Sequence, residues 1–73
     1  MNTLKEIGVL IKQRRTFLNL KQDDLSEMSN VSNKTIQQIE MGKANPSVKV
    51  LSKILYVLGM EVGISIKKPE IDQ

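Results

Sequence analysis

The sequence predicts an all-α fold of four to five short helices followed by one C-terminal strand. Two observations predict the helices. Apolar residues recur at three- and four-residue spacing in four separate stretches, and most of these stretches sit between a capping residue and an Asn or Gly stop. A third observation predicts the strand: from Met60 to Ile66 the period changes to strict alternation.

Taking the elements in order, Thr3 can cap a helix, with Glu6 three residues on as the reciprocal partner of a capping box. Leu4, Ile7, Ile11 and Leu18 follow at helical spacing with Leu10 beside them, so this helix is expected to run to about Leu18. Arg14 takes the one stripe position where an apolar residue is expected, and Asn19 tolerates the left-handed backbone of a helix stop. The second helix spans Gln22 to Met28, with Leu25 and Met28 on one side and the acidic Asp23, Asp24 and Glu27 in its opening turns, which suits a helix N-terminus. Ser29-Asn30-Val31 breaks it.

Ser32 is an N-cap, and the third helix runs from Asn33 to Met41 with Ile36 and Ile39 inward, leaving Asn33, Lys34, Gln37 and Gln38 on the outer face. Gly42 closes it. Lys43-Ala44-Asn45-Pro46 is a loop in which the proline holds Asn45 extended. Ser47 caps the fourth helix, whose stripe is Val48, Leu51, Ile54, Leu55 and Leu58, thickened by Val50 and Val57 and ended by Gly59. In the strand, Met60, Val62, Ile64 and Ile66 alternate with Glu61, Gly63 and Ser65. One strand has no partner in its own chain, so the same strand of a second copy across a two-fold axis is the expected one. The domain is read as residues 1–66, and the charged, proline-interrupted stretch from Lys67 to Gln73 as a frayed tail.

Composition narrows the function classes. The 73 residues make one domain, near the size at which a lone core is only marginally stabilising, so oligomerisation is a natural supplement. There is no cysteine and no histidine, no Gly-rich phosphate loop, and no Asp/Glu spacing that suggests a carboxylate metal site. The expectation is a non-enzyme with no cofactor and no metal. No apolar stretch approaches the roughly 18 residues of a membrane span, and no basic region precedes an apolar run at the N-terminus. A cytoplasmic, nucleoid-associated protein is expected. The net charge of +3 leans only modestly toward polyanions.

The two central helices say more. A short helix, apolar on one stripe and coated with amides and lysine on the other, has what major-groove reading needs. Leu20, Gln22, Leu25, Val31, Ser32, Ile36, Ile39, Glu40, Gly42 and Pro46, in this register, resemble the helix-turn-helix of the phage repressor/Cro (XRE-like) family. The resemblance covers nearly the whole chain and implies a lambda-repressor-like DNA-binding domain. Three residues depart from the family's pattern. Lys21 replaces a Ser/Thr N-cap, at a typical cost of about 1 kcal/mol, Ser26 an Ala, and Asn30 the turn Gly. Asn is the least costly non-glycine residue at positive φ, so the turn is expected to form. The resemblance also implies a buttress, Arg15 paired with Glu40. HipB-like antitoxins, a branch of the family, end in a dimerising strand like the one read here.

The site residues follow from their places. Gln22, at the start of the second helix, is expected to bond a phosphate oxygen together with nearby helix-terminal amides. Ser32, Asn33 and Lys34, in the first turn of the recognition helix, and Gln38, one turn beyond Lys34, are the expected base readers; Asn33 and Gln38 suit adenine, Lys34 suits guanine. Thr35, Gln37 and Lys43 are expected on phosphates. Met28, Met41 and Met60 read as core filler, while Phe17, off the stripe of the first helix, is open between an edge-of-core and a partner-binding role. The function read from the chain is a sequence-specific, homodimeric repressor on an inverted-repeat operator of double-stranded DNA. Its most specific version is a HipB-like antitoxin that represses its own operon and binds a HipA-like kinase toxin. A stand-alone regulator without a toxin and a protein-interaction module without specific DNA binding are the alternatives.

Overall fold

A computed structural model describes residues 3–64, which form four α-helices and, among those residues, no strand. The helices are α1 (Thr3–Phe17), α2 (Gln22–Ser29), α3 (Asn33–Glu40) and α4 (Val48–Val57). Local chemistry sets their ends. At the heads of α3 and α4, Ser32 Oγ accepts the Thr35 N–H and Ser47 Oγ the Val50 N–H, each at 3.1 Å. The Lys21 side chain has no oxygen with which to accept, and the head of α2 is closed from the other side: Asp24 accepts the Lys21 backbone N–H at 2.8 Å. Thr3 already lies inside α1 instead of preceding it, so it does not stand in the N-cap place expected of it.

Three helices stop in the same way. A residue at positive φ, Asn19 (60°), Gly42 (72°) or Gly59 (74°), reverses the chain. The next N–H then reaches back to the last turn, Leu20 to Arg15 O at 3.0 Å, Lys43 to Gln38 O at 2.9 Å and Met60 to Leu55 O at 2.8 Å. α2 stops at Asn30, also left-handed (φ 61°), whose N–H meets Ser26 O at 2.9 Å. Ser26 Oγ donates to Val31 O at 2.6 Å across the same turn, a bond that the alanine usual at this place could not make.

The core is Ile11 from α1, Leu25 from α2, Val31 from the turn, Ile36 and Ile39 from α3, and Ile54, Leu55 and Leu58 at α4. α3 packs on α1 and α2, and α2 also packs on α4, so the second and third helices are held from behind with the outer face of α3 left clear. The approach of α1 to α3 depends on Gly8. A Cβ there would stand 2.3 Å from Ile39 O and 2.8 Å from Glu40 O, closer than any side-chain carbon can sit. Gly42 is constrained twice, by its positive φ and by Lys5 Cα, which lies 2.8 Å from where a Cβ would be.

Several sequence expectations are corrected. The strand from Met60 to Ile66 is not formed over its described part, residues 60–64; Ser65, Ile66 and the tail from Lys67 to Gln73 lie outside the described residues. Met60 spends its N–H on the cap of α4 and lays its side chain against the core, while Val62 and Ile64 are exposed. Among the described residues of one chain this segment has no neighbouring strand to form a ladder. Met28 and Met41 are exposed and are not core filler. In α2 the inward line passes through Leu25 and Ser29, four residues apart, and Ser29 can be buried because its hydroxyl donates to Leu25 O at 2.6 Å. In α3 the inward place beside Met41 is taken by Glu40. Val48, in the first turn of α4, projects beyond the core.

Arg14, the polar residue in an apolar stripe, has a reason to be there. Its Nε donates to Leu58 O at 2.9 Å, satisfying a carbonyl at the end of α4, and its guanidinium lies 5.3 Å from the ring centroid of Phe17. Phe17 is therefore a cover for Arg14 and not an edge of the core; it is 73% exposed.

Gly8→Ala tests the close approach of α1 to α3. In an open helix the change would stabilise by about 1 kcal/mol; here the clash with two carbonyls should reverse the sign and cost about 1–3 kcal/mol. Urea unfolding midpoints check it, and a more stable Gly8→Ala protein would mean that the two helices do not approach this closely.

Candidate nucleic-acid interface

The outer face of α3 is polar from end to end. Lys34 and Gln37 are exposed, Asn33, Thr35 and Gln38 half-buried, and the opposite face is anchored by Ile36, Ile39 and Glu40. Ser32, exposed before the helix, has its hydroxyl engaged twice inside the first turn. It accepts the Thr35 N–H and donates to Thr35 Oγ1 at 2.8 Å. That leaves Thr35 able to donate its own hydroxyl hydrogen outward, so of this pair Thr35 is the better equipped for an external acceptor. Lys43 is exposed in the loop after Gly42, and its backbone is tied to the end of α3 through Gln38 O.

Behind this face lies a buried ion pair. Arg15 Nε donates to Glu40 Oε2 at 2.7 Å and Arg15 Nη2 to Glu40 Oε1 at 3.0 Å, while Nη1 donates to Leu20 O at 2.7 Å. The two side chains are 9% and 2% exposed. Such a fork-to-carboxylate pair needs a planar guanidinium, which a lysine does not provide. The hydrogen bond to Glu40 raises the Arg15 pKa above its ordinary value, burial opposes the rise, and the Glu40 charge adds to it. Arg15 thus keeps its charge throughout the working pH range.

Glu40 accepts a third hydrogen bond, from a second partner that sequence reasoning missed. Gln22 Nε2 donates to Glu40 Oε1 at 3.0 Å. The amide nitrogen of Gln22 carries a second hydrogen and its Oε1 is a further polar atom, so the side chain is oriented from within and can still meet an outside acceptor. One carboxylate therefore links α1, the head of α2 and the end of α3. A second missed contact lies at the opposite end of α3, where Asn33 Nδ2 donates to Asp23 Oδ1. No local pattern signals either contact, because the partners are 18 and 10 residues apart and belong to different helices.

The sequence-predicted base readers Asn33, Lys34 and Gln38 lie on one helix with Ser32 at its head. Gln22, Thr35, Gln37 and Lys43 lie around it on α2, α3 and the following loop. Among the described residues no three His, Cys, Asp or Glu side chains come together in a way that could hold a metal ion, and no helix is long and apolar enough to cross a membrane.

Glu40→Ala removes one side of a buried charge pair and leaves Arg15 without its counter-ion, so it should cost about 3–5 kcal/mol. Arg15→Lys keeps the charge and loses the fork, and should still destabilise by more than about 1 kcal/mol. Denaturant titrations check both; an Arg15→Lys protein as stable as the parent would show that the forked geometry contributes nothing.

Comparison with known proteins agrees with this geometry. A family model described as helix-turn-helix matches residues 11–65. The chain is 33% identical over 67 residues to the ImmF control region 10 kDa protein of Bacillus phage phi105, covering 92% of this chain and 73% of that one. It is 40% identical over 52 residues to an uncharacterized HTH-type transcriptional regulator of Methanocaldococcus jannaschii, covering 71% of this chain and 79% of that one. It is also 37% identical over 65 residues to the Endothelial differentiation-related factor 1 homolog of Xenopus laevis, covering 88% of this chain and 44% of that one. Other relatives are much longer than the chain, which spans 14% of a regulatory protein of Methanococcus vannielii. With four helices in this order, a capped turn between α2 and α3 and a match over most of its length, the chain belongs to the XRE-type helix-turn-helix family of DNA-binding transcriptional regulators.

Proposed function

We propose that the chain is a sequence-specific transcriptional repressor, not an enzyme, and that it binds an inverted-repeat operator as a homodimer. The observation that carries this reading is the outer face of α3, polar throughout and braced from behind by the Arg15–Glu40–Gln22 cluster. Asn33, Lys34 and Gln38 read base edges, with Ser32 holding the head of the helix; Gln22, Thr35, Gln37 and Lys43 bind phosphate oxygens.

The homodimer is supported by an apolar groove of about 220 Å³ lined by Ile7, Leu10 and Ile11 of α1, Leu51 and Leu55 of α4, and Met60, Glu61 and Val62. Its lining is almost entirely hydrocarbon, and Val62, which lines it, and Ile64, close to it in the chain, are both exposed. The occupant is the same segment of a second copy, which would bring its exposed Val62 and Ile64 against the groove. The recognition helices would then face half-sites with centres about 10 base pairs, or a multiple, apart.

The most specific version is a HipB-like antitoxin that represses its own operon and binds a HipA-like kinase toxin; it rests on the alternation of Met60, Val62, Ile64 and Ile66. The stand-alone regulator is the second reading, favoured by relatives whose names describe a phage control-region protein and a transcriptional regulator. The neighbouring reading frame separates the two. A kinase-like toxin gene beside this one, with its product co-purifying, supports the first.

Binding titrations test the interface. Asn33→Ala and Gln38→Ala should each lose about 1–3 kcal/mol on the selected operator and little on random DNA. Lys43→Ala should weaken both alike and flatten the log–log salt dependence by about one unit. If Asn33→Ala and Gln38→Ala recover the parent consensus in a site selection, α3 is not the reading helix.

Val62→Asp puts a charge into the groove and should make the protein sediment as a monomer that binds the full operator no better than a half-site. An undiminished dimer would move the contact elsewhere.

A further inference from the structure

Asn33 is the first residue of α3, and its Nδ2 donates to Oδ1 of Asp23, the second residue of α2. A carboxylate can only accept hydrogen bonds, so Asp23 admits one orientation of this amide, with nitrogen toward the carboxylate and the carbonyl away from it. The nitrogen carries two hydrogens; with the one anti to the carbonyl given to Asp23, the syn hydrogen remains beside Oδ1. The free edge of Asn33 is therefore one donor next to one acceptor. That is the pattern that pairs with N7 and the N6 amino group of adenine in the major groove.

Asp23 itself is out of place on such a surface. It is exposed, and a carboxylate near the reading face repels the phosphates that the basic residues attract. An acid in the first turn suits the helix dipole, but Asp24 already supplies one there and also closes the head of α2 through the Lys21 N–H. What Asp23 adds is the contact with Asn33. We propose that Asp23 is a positioning residue that fixes the Asn33 amide for reading adenine, an inference that rests on the DNA-binding function proposed above.

The test is a binding-site selection from random duplex DNA with the wild-type chain, Asn33→Ala, Asp23→Ala and the double variant, with thermal unfolding of each. The wild type should return a consensus, and Asn33→Ala should relax one position of each half-site, an adenine. Asp23→Ala should relax the same position, its adenine preference falling about tenfold, with the other positions intact. Its binding to random DNA should rise, because a negative charge has left the surface. The double variant should be no less selective at that position than Asn33→Ala alone. A purely structural role would lower the unfolding temperature and blur all positions together. That result, an unchanged adenine preference in Asp23→Ala, or relaxation by Asn33→Ala at a base other than adenine would overturn the proposal while leaving DNA reading in place. A wild-type selection with no consensus would overturn both.

Discussion

The buried pair of Arg15 and Glu40 is the contact on which the geometry of the reading face depends. Each charge is nearly out of water, and each is satisfied: the guanidinium by two carboxylate oxygens and Leu20 O, the carboxylate by Arg15 and Gln22. A pair of this kind contributes little net stability compared with a well-packed apolar replacement, because desolvation offsets the attraction. Its value lies in direction. A hydrophobic contact can slide by an ångström at small cost, whereas a forked hydrogen-bonded pair fixes the rotation of α3 about its axis relative to α1 and the head of α2. The side chains on the far side of α3 inherit that rotation.

Around this pair the short helices are held by their ends. With eight residues each, α2 and α3 are too short to persist alone, and much of what specifies them is capping: Ser32 and Asp24 at their heads, Asn30 and Gly42 at their stops. Gly8 contributes by what it lacks, since the carbonyls that finish α3 lie where its Cβ would be. Arg14 extends the same economy to α4, joining the Leu58 carbonyl at its end to α1 and standing over Phe17.

These restraints bear on function because they separate two surfaces. The polar face of α3, with Lys34 and Gln37 exposed, is one. The apolar groove between α1, α4 and the segment after α4 is lined by residues of quite different chemistry, and it draws none of them from α2 or α3. A chain so arranged can offer one surface to a polyanion and the other to an apolar partner without competition between them.

What the sequence determined by itself was the part of the fold that is written within a few residues. Apolar spacing placed the four helices to within a residue or two, Ser32 and Ser47 marked two heads, and Asn19, Asn30, Gly42 and Gly59 marked the stops, because caps and left-handed residues act through bonds three to five positions along the chain. The outer face of α3 was readable for the same reason, and the pairing of Arg15 with Glu40 was expected only through resemblance to a family. Tertiary structure decided the rest. It turned Met28, Met41 and Val48 to solvent, gave Arg14 its carbonyl 44 residues away, made Gly8 a packing residue, bound Gln22 to Glu40 and Asn33 to Asp23, and left residues 60–64 without a strand partner. Each of these depends on which helices meet and at what rotation, and a periodicity that repeats every 3.6 residues records which face is apolar but not what will be packed against it.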